Sequence, residues 1–356
     1  MQPAAARRLI DQLVAAGASS DAPYEAEAAR YTSPAWFERE RAAFERPRIL
    51  AASSSIAPGA CLPIGTTLLV RDAAGTLRAF ANACRHRATR LVDAPCAAKA
   101  LVCPYHGWTY DLAGTLVHVP NADSFAGCEA GRDLHARPVE ERHGLVWSGT
   151  GVAAHLGEVD ADLAALDLGS HVAWRASRTL RRCNWKLLVE AFLDGYHIRT
   201  LHRDSVYRFF VDAASLAERA GDHVRAITAR RTLREAPRDA VPRDVVTPSL
   251  FVFPATTIIE HPDFVSIVTA HPRDHQHTEF EHVMLVPAAR AADDEHWARS
   301  WELIEDRVFQ GEDEWVCEQI QLGLDAGATD RLLFGGLEHG VRWFHETLAG
   351  YSTIAR

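Results

Sequence analysis

The sequence predicts an α+β protein with more than one domain. Three observations carry this. Apolar residues recur at helical spacing near both ends of the chain. Between them lie short alternating or apolar runs broken by Gly and Pro, which read as strands. The length, 356 residues, is enough for two domains that each bury a core. Residues 1–46 read as helices packing on the second domain, residues 47–155 as a mainly β domain, and residues 165–356 as an antiparallel sheet followed by helices.

The elements follow in order. The first twenty residues carry two arginines and an apolar stripe of Leu9, Ile10, Leu13 and Val14. They lack the long apolar core and cleavage site of a signal peptide, so a leader helix is expected. Ser33 is the expected cap ahead of Pro34-Ala35-Trp36-Phe37. Residues 67–70 and 77–80 read as a hairpin around Asp72-Ala73-Ala74-Gly75, and residues 144–147 as the strand that closes the first domain. A loose connection is expected over 150–170, then a strand at 179–182 and a helix opening near Asn184. Residues 249–254, 256–259, 265–270 and 279–286 read as an antiparallel sheet, and helical periodicity returns from Asp293.

Composition excludes several classes. A net charge of -9 leaves no basic surplus to neutralise phosphates, so nucleic acid is not a partner. No apolar run reaches the roughly 18 residues of a membrane helix, and a cytoplasmic protein is expected. Seven cysteines without regular pairing suit a reducing compartment where thiols serve metals. Cys61, Cys96, Cys128, Cys183 and Cys317 are expected to be buried small side chains.

Two ligand sets stand out. Cys84-Arg85-His86 is followed after sixteen residues by Cys103-Pro104-Tyr105-His106. One Cys and one His on each of two loops is the ligand set of a Rieske [2Fe–2S] centre, in which imidazole replaces thiolate on one iron. A structural zinc site is the competing reading, but zinc fingers usually pair Cys with Cys and His with His. Arg85, Arg87, Arg90 and Lys99 make a basic rim around this motif, either a solvated face or a docking patch for an acidic electron donor. The second set is Asp194-Gly195-Tyr196-His197 and, four residues on, His202. Three residues separate Asp194 and His197, which places both on one helical face if the run is helical. Metal-bound histidines commonly donate their second N–H to such a carboxylate. A further carboxylate would complete the facial triad of a non-haem Fe(II) oxygenase. Glu312-Asp313-Glu314 supplies candidates, and the chemistry alone does not choose among them. His271, His275, His277 and His282 do not repeat a known ligand spacing and read as structural. Phe192, Phe209, Phe210, Phe251, Phe253 and Trp315 read as core or as pocket lining.

Taken together, these motifs resemble the Rieske non-haem iron oxygenases (the ring-hydroxylating superfamily) in their catalytic alpha subunit. The likeness covers most of the chain: the cluster motif, Asn184-Trp185-Lys186 with Glu190, the Asp194–His197–His202 set and an acidic C-terminal helix. It implies a mainly β Rieske domain joined to a helix-grip, START-like catalytic domain. It implies that Cys84, His86, Cys103 and His106 hold the cluster, and that His197, His202 and Asp313 hold Fe(II). Asp194 would link His197 to His106 of a neighbouring subunit in a head-to-tail homotrimer or a multiple of it.

The activity implied is O2-dependent hydroxylation of a small organic substrate, aromatic or quaternary-ammonium-like. Mono- and dioxygenation and oxidative demethylation all stay open, as does a small beta subunit. Electrons would come from NAD(P)H through a separate flavin reductase, a ferredoxin, or both. A Rieske electron-transfer or binding protein with a vestigial mononuclear site is the alternative. Ala88 stands where the family commonly has glycine, and Ala191 where many dioxygenases have Asn. The interval from Glu190 to Asp194 is also one residue shorter than in naphthalene-dioxygenase-like enzymes. These departures lean toward monooxygenase or demethylase relatives.

Overall fold

The computed structural model describes residues 1–17, 22–125, 127, 128, 130–237 and 239–352, so the end of the expected leader lies outside it. The chain divides into two compact units, Ile49–Val152 and a second formed by Met1–Arg48 with Ala153–Arg356.

The smaller unit is built from short antiparallel strands. Its five-stranded sheet runs Ala136–Arg137, Leu77–Ala81, Thr67–Arg71, Ala60–Ile64 and Cys96–Ala97. The hairpin expected around residue 75 forms, with Arg71 opposite Leu77 and Gly75 at φ 89°. A second sheet pairs Val139–Arg142, Leu145–Ser148 and Ile49–Ala52. A third pairs Leu101–Val102, Thr109–Tyr110 and Leu116–His118, and its hairpin end carries one of the ligand loops.

The larger unit centres on a seven-stranded antiparallel sheet. Its spatial order is His171–Arg181, Thr278–Pro287, Val265–Pro272, Thr256–Glu260, Val246–Val252, His223–Arg230 and Phe210–Ala220. Six strands form a meander, and the first in sequence lies against the last. Helices Trp185–Ala191, Trp315–Asp325 and His339–Ser352 pack with it around one core that includes Trp185, Phe251, Phe280, Trp297 and Phe344. Phe251 and Phe253 belong to this core, whereas Trp315 is half exposed. In the helix Pro3–Ala16, Leu9, Ile10 and Leu13 are buried among Leu216, Ile227 and Val246. Val14 points to solvent, because only one stripe of a helix this short can face the sheet.

Several expectations need correction. Tyr24–Glu27 is a strand, paired with Arg331–Phe334 at the far end of the sequence. The connection at 150–170 contains helices Val152–Leu156 and Asp160–Ala165. Ser33 precedes the helix Pro34–Glu40, but its hydroxyl makes no cap bond. Cys96 and Cys128 are exposed, while Cys61, Cys183 and Cys317 are buried.

The Asn184-Trp185-Lys186 stretch anchors the helix beside the second ligand set. Asn184 caps it by accepting from Lys186 N–H at 3.1 Å, and its amide donates to Tyr31 and His275 carbonyls. A cap of this kind is worth about 1 kcal/mol. Lys186 Nζ donates to Glu40 at 2.7 Å with both side chains buried, and Trp185 Nε1 reaches the same carboxylate. Glu190 accepts from the Tyr31 hydroxyl and meets His345, each at 2.8 Å.

Candidate metal centres

The two cysteine loops of the smaller unit are the same turn used twice. In one, Cys84 N–H donates to Thr89 and Ala88 N–H donates to Cys84 O. In the other, Cys103 N–H donates to Trp108 and Gly107 N–H donates to Cys103 O. Each turn needs a left-handed residue four places after the cysteine: Gly107 has φ 71° and Ala88 has φ 61°. The turns bring the two histidines together with Nδ1 atoms 3.1 Å apart, and both thiols are buried beneath them. His86 stacks on Trp108, and Tyr105 stacks on exposed His106. Tyr110 Oη lies 3.3 Å from Cys84 Sγ and accepts Arg85 N–H at 2.9 Å. Burial works against a thiolate at Cys103, yet backbone N–H groups of Tyr105 and His106 aimed at the sulfur outweigh it and lower its pKa. Two buried sulfurs and two facing imidazole nitrogens fit the ligand set of a [2Fe–2S] cluster. In the basic rim, Arg85 is tied to Asp133 O, while Arg87, bonded to Tyr105, Arg90, paired with Asp93 at 3.3 Å, and Lys99 are all exposed.

In the larger unit the helix expected to run through His197 ends at Ala191, and His197 begins a single 3₁₀ turn, His197–Arg199. Between them Gly195 lies so close to the outer strand that a Cβ there would sit 2.4 Å from Ser215 Oγ. The pairing with Asp194 survives in a turn rather than on a helical face. Asp194 Oδ2 holds His197 Nδ1 at 3.0 Å, and its Oδ1 accepts Tyr196 N–H.

The three acids of the C-terminal cluster have separate partners. They close a π-helix, Glu302–Glu314, whose wider turn presents residues four and five apart on one side. Glu312 Oε2 accepts from His202 Nδ1 and from Ser205 Oγ, each at 2.6 Å. Asp313 Oδ1 lies 3.2 Å from His202 Nε2 and 3.6 Å from His197 Nε2. Glu314 takes Thr179 Oγ1 at 2.6 Å and the Arg181 guanidinium.

The hydrogen bonds at Nδ1 leave both Nε2 atoms as lone pairs, 3.1 Å apart. Asp313 Oδ1 is buried and has no hydrogen-bond donor despite these neighbours. Three lone pairs therefore converge, and the three candidate ligand atoms lie within 4.8 Å of one another. A first-row cation bonded at about 2.1 Å in octahedral geometry spaces adjacent ligands by about 3 Å. Burial by itself would lower His202, but Asp313 and Glu312 reverse this and raise it to about 9, so the carboxylates call for positive charge at this point. The residues fit the facial arrangement of two histidines and one carboxylate.

These atoms open on a cavity of about 290 Å³ between the sheet and the π-helix. Its helix side is apolar, formed by Leu303, Ile304, Val308 and Phe309, and Phe192, Phe209 and Phe210 also line it. On the sheet side a buried hydrogen-bonded chain runs from His261 Nε2 to Ser266 (3.1 Å), from Ser266 to His282 Nε2 (2.9 Å), and from His282 Nδ1 to Glu305 (2.8 Å). Burial first, then His282 and two arginines, push His261 down to about 3, so it is neutral. His282 is thus a structural histidine, as are His271 on Glu281 and His277 on Asp274. Neither Arg230 nor His261 was distinguishable in sequence, since each stands beside another charged residue at or just past a strand end, where polar residues are ordinary.

Comparison with known proteins agrees with this geometry. The profile of the family described as "Ring hydroxylating alpha subunit (catalytic domain)" matches residues 165–353, and that of the "Rieske [2Fe-2S] domain" matches residues 49–132. Chlorobenzene dioxygenase subunit alpha of Cupriavidus sp. is 34% identical over 168 residues, which is 43% of this chain. That match spans 37% of the dioxygenase subunit, well short of its full length. Chloroplastic choline monooxygenase of Arabidopsis thaliana is 26% identical over 78% of this chain and 69% of its own. A solved quaternary ammonium Rieske monooxygenase in complex with L-carnitine superposes with a TM-score of 0.77 at 21% identity, over 92% of this chain and 95% of that one, which shows a shared fold.

Proposed function

The chain belongs to the ring-hydroxylating oxygenase family as a Rieske-type catalytic alpha subunit, and on that premise we propose that it is an oxidoreductase that hydroxylates a small organic substrate with O2. The observation that carries this is the convergence of His197 Nε2, His202 Nε2 and Asp313 Oδ1 at the wall of a largely apolar cavity. These three side chains would hold Fe(II), and Cys84, His86, Cys103 and His106 would hold the [2Fe–2S] cluster. Iron bound by the triad supplies the redox chemistry that activates dioxygen.

The chain's own residues set the conditions for that chemistry. Asp194 and Glu312 fix the tautomers of His197 and His202, so that each presents a lone pair. Phe192, Val308 and Phe309 keep bulk water from the reacting face and orient an apolar substrate. Asp194 is assigned the link to His106 of a neighbouring copy in a homotrimer. Exposed Tyr196, Trp315 and Ile320, on the elements around Asp194, support such an interface. Electrons would enter from NAD(P)H through a separate reductase, with or without a ferredoxin. The aromatic and quaternary ammonium substrate classes are supported by the names of the relatives, and the cytoplasm is the compartment that fits seven cysteines without a disulfide. No helix among the described residues is long and apolar enough to cross a membrane.

The test is iron and acid-labile sulfide per chain on anaerobically purified protein, with EPR of the reduced form before and after nitric oxide. About three irons and two sulfides, a Rieske signal and a nitric-oxide-responsive Fe(II) are expected. Cluster iron alone, unchanged by added Fe(II), would reduce the protein to an electron carrier.

A further inference from the structure

The sheet side of the cavity carries a charge that the substrate classes above leave unanswered. Arg230 is the only arginine or lysine among the described residues that line the cavity. It stands at the end of the strand His223–Arg230, half-buried, with its guanidinium 5.7 Å from the rings of Phe209 and of Phe210. Among the described residues, the one hydrogen bond of its guanidinium is Nη1 to Thr247 Oγ1 at 3.2 Å. A guanidinium has five N–H donors, so most of its capacity is unspent.

No described carboxylate forms an ion pair with it. The acids that line the cavity face the other way: Asp194 is bonded to His197, and Asp313 belongs to the candidate metal triad with His197 and His202. Asp244 acts on Arg230 only through space and is itself exposed. Burial lowers the Arg230 pKa, the sign of a cation held without full compensation. Hydroxyls gather beside it: Thr228 lies directly opposite Thr247 in the strand register, and Ser249 follows on the same strand. His261, the remaining polar group of this wall, is neutral and cannot serve as the counter-charge.

We propose that the cavity selects small organic acids, with the substrate carboxylate held by Arg230 and Thr247 and its apolar part turned toward His197, His202 and Asp313. A planar carboxylate matches the guanidinium fork and supplies the charge that the wall lacks. A substrate bearing only a quaternary ammonium group is disfavoured, because Arg230 repels it. A betaine remains compatible, since its carboxylate can occupy the arginine end. The proposal rests on the oxygenase reading for what becomes of the acid, but not for its binding.

The test is equilibrium binding to the full-length, cluster- and iron-loaded chain under anaerobic conditions. The probes are acids paired with their neutral amides, from propanoate to phenylacetate, together with benzyltrimethylammonium and phenylphosphonate. At least one acid is expected to bind about tenfold or more tightly than its amide, as for a charged hydrogen-bonded pair. Arg230→Gln should abolish that preference and Arg230→Lys keep part of it. Arg230→Glu should reverse it in favour of the ammonium probe, a gain that a misfolded protein could not show. The proposal is overturned if no acid outbinds its amide, if the preference survives Arg230→Gln, or if the phosphonate outbinds every carboxylate. Acid binding without substrate-dependent O2 uptake would instead overturn the oxygenase reading and leave the acid site standing.

Discussion

Glu312 offers the sharpest test of how the mononuclear site is held. Its Oε2 accepts from His202 Nδ1 and Ser205 Oγ at 2.6 Å each, and both partners are almost fully buried. Glu312→Ala removes the group that keeps the proton on Nδ1 and leaves His202 free to adopt the tautomer that points a hydrogen at Asp313. It also strips the Ser205 hydroxyl of its charged acceptor, leaving only His202 O at 3.2 Å. Groups that orient a ligand in this way are worth about 10- to 100-fold in metal affinity, or about 1.4–2.7 kcal/mol. Two short charge-assisted bonds in a buried setting put Glu312→Ala at the upper end, about 100-fold. Glu312→Gln keeps an acceptor for the imidazole but loses the charge, and about 10-fold is expected. The assay is anaerobic titration of iron-stripped protein with Fe(II) against a chelator of known affinity, with cluster absorbance as the control for folding. An unchanged Fe(II) Kd in Glu312→Ala, with the cluster intact, would refute the tautomer argument.

Three further predictions follow from the same geometry. Ala88→Gly should stabilise the cysteine-loop unit by about 1 kcal/mol, since alanine in the left-handed region costs about 1–2 kcal/mol; a lowered unfolding midpoint would contradict the equivalence of the two loops. Lys186→Met should cost about 3–5 kcal/mol in urea unfolding by leaving Glu40 buried and unpaired, whereas Lys186→Met with Glu40→Leu should recover most of the loss. Buried His155, pushed down to about 4 first by burial and then by His223 and Arg46, stays neutral in the fold, while in the unfolded chain it takes up a proton near its ordinary value. The unfolded state therefore binds more protons as pH falls from about 6.5 to about 4, and stability drops by about 3 kcal/mol across that window. His155→Gln should flatten this part of the pH–stability curve, and an unchanged slope would show that other groups carry it.

What could be read from the chain depended on whether its signal was local. The two cysteine loops and the histidine pair are short-range patterns, so their residues stood out in the sequence as candidate ligand sets. The hairpin around Gly75 and the sheet strands after residue 246 were visible for the same reason. Tyr24–Glu27 was missed because its strand partner, Arg331–Phe334, lies about three hundred residues away. The early end of the helix at Ala191 was hidden because nothing nearby in sequence reveals that Ser215 crowds Gly195. Among Glu312, Asp313 and Glu314, consecutive acids point in different directions, and only the helix geometry says which one meets the histidines. Arg230 was invisible because an arginine at a strand end, followed by Arg231, is ordinary; its meaning comes from its place in the cavity wall with no ion pair to a described carboxylate.

The π-helix that carries Asp313 also supplies the cavity's Leu303, Val308 and Phe309. Anyone enlarging the cavity for bulkier compounds faces unequal choices. Trimming Ile259, on the sheet, changes room without touching the backbone that aims Asp313. Trimming Val308 or Phe309 alters the packing of the very turns that aim it, so such variants should lose bound iron as they gain space. Libraries for altered selectivity are therefore best drawn from the strands.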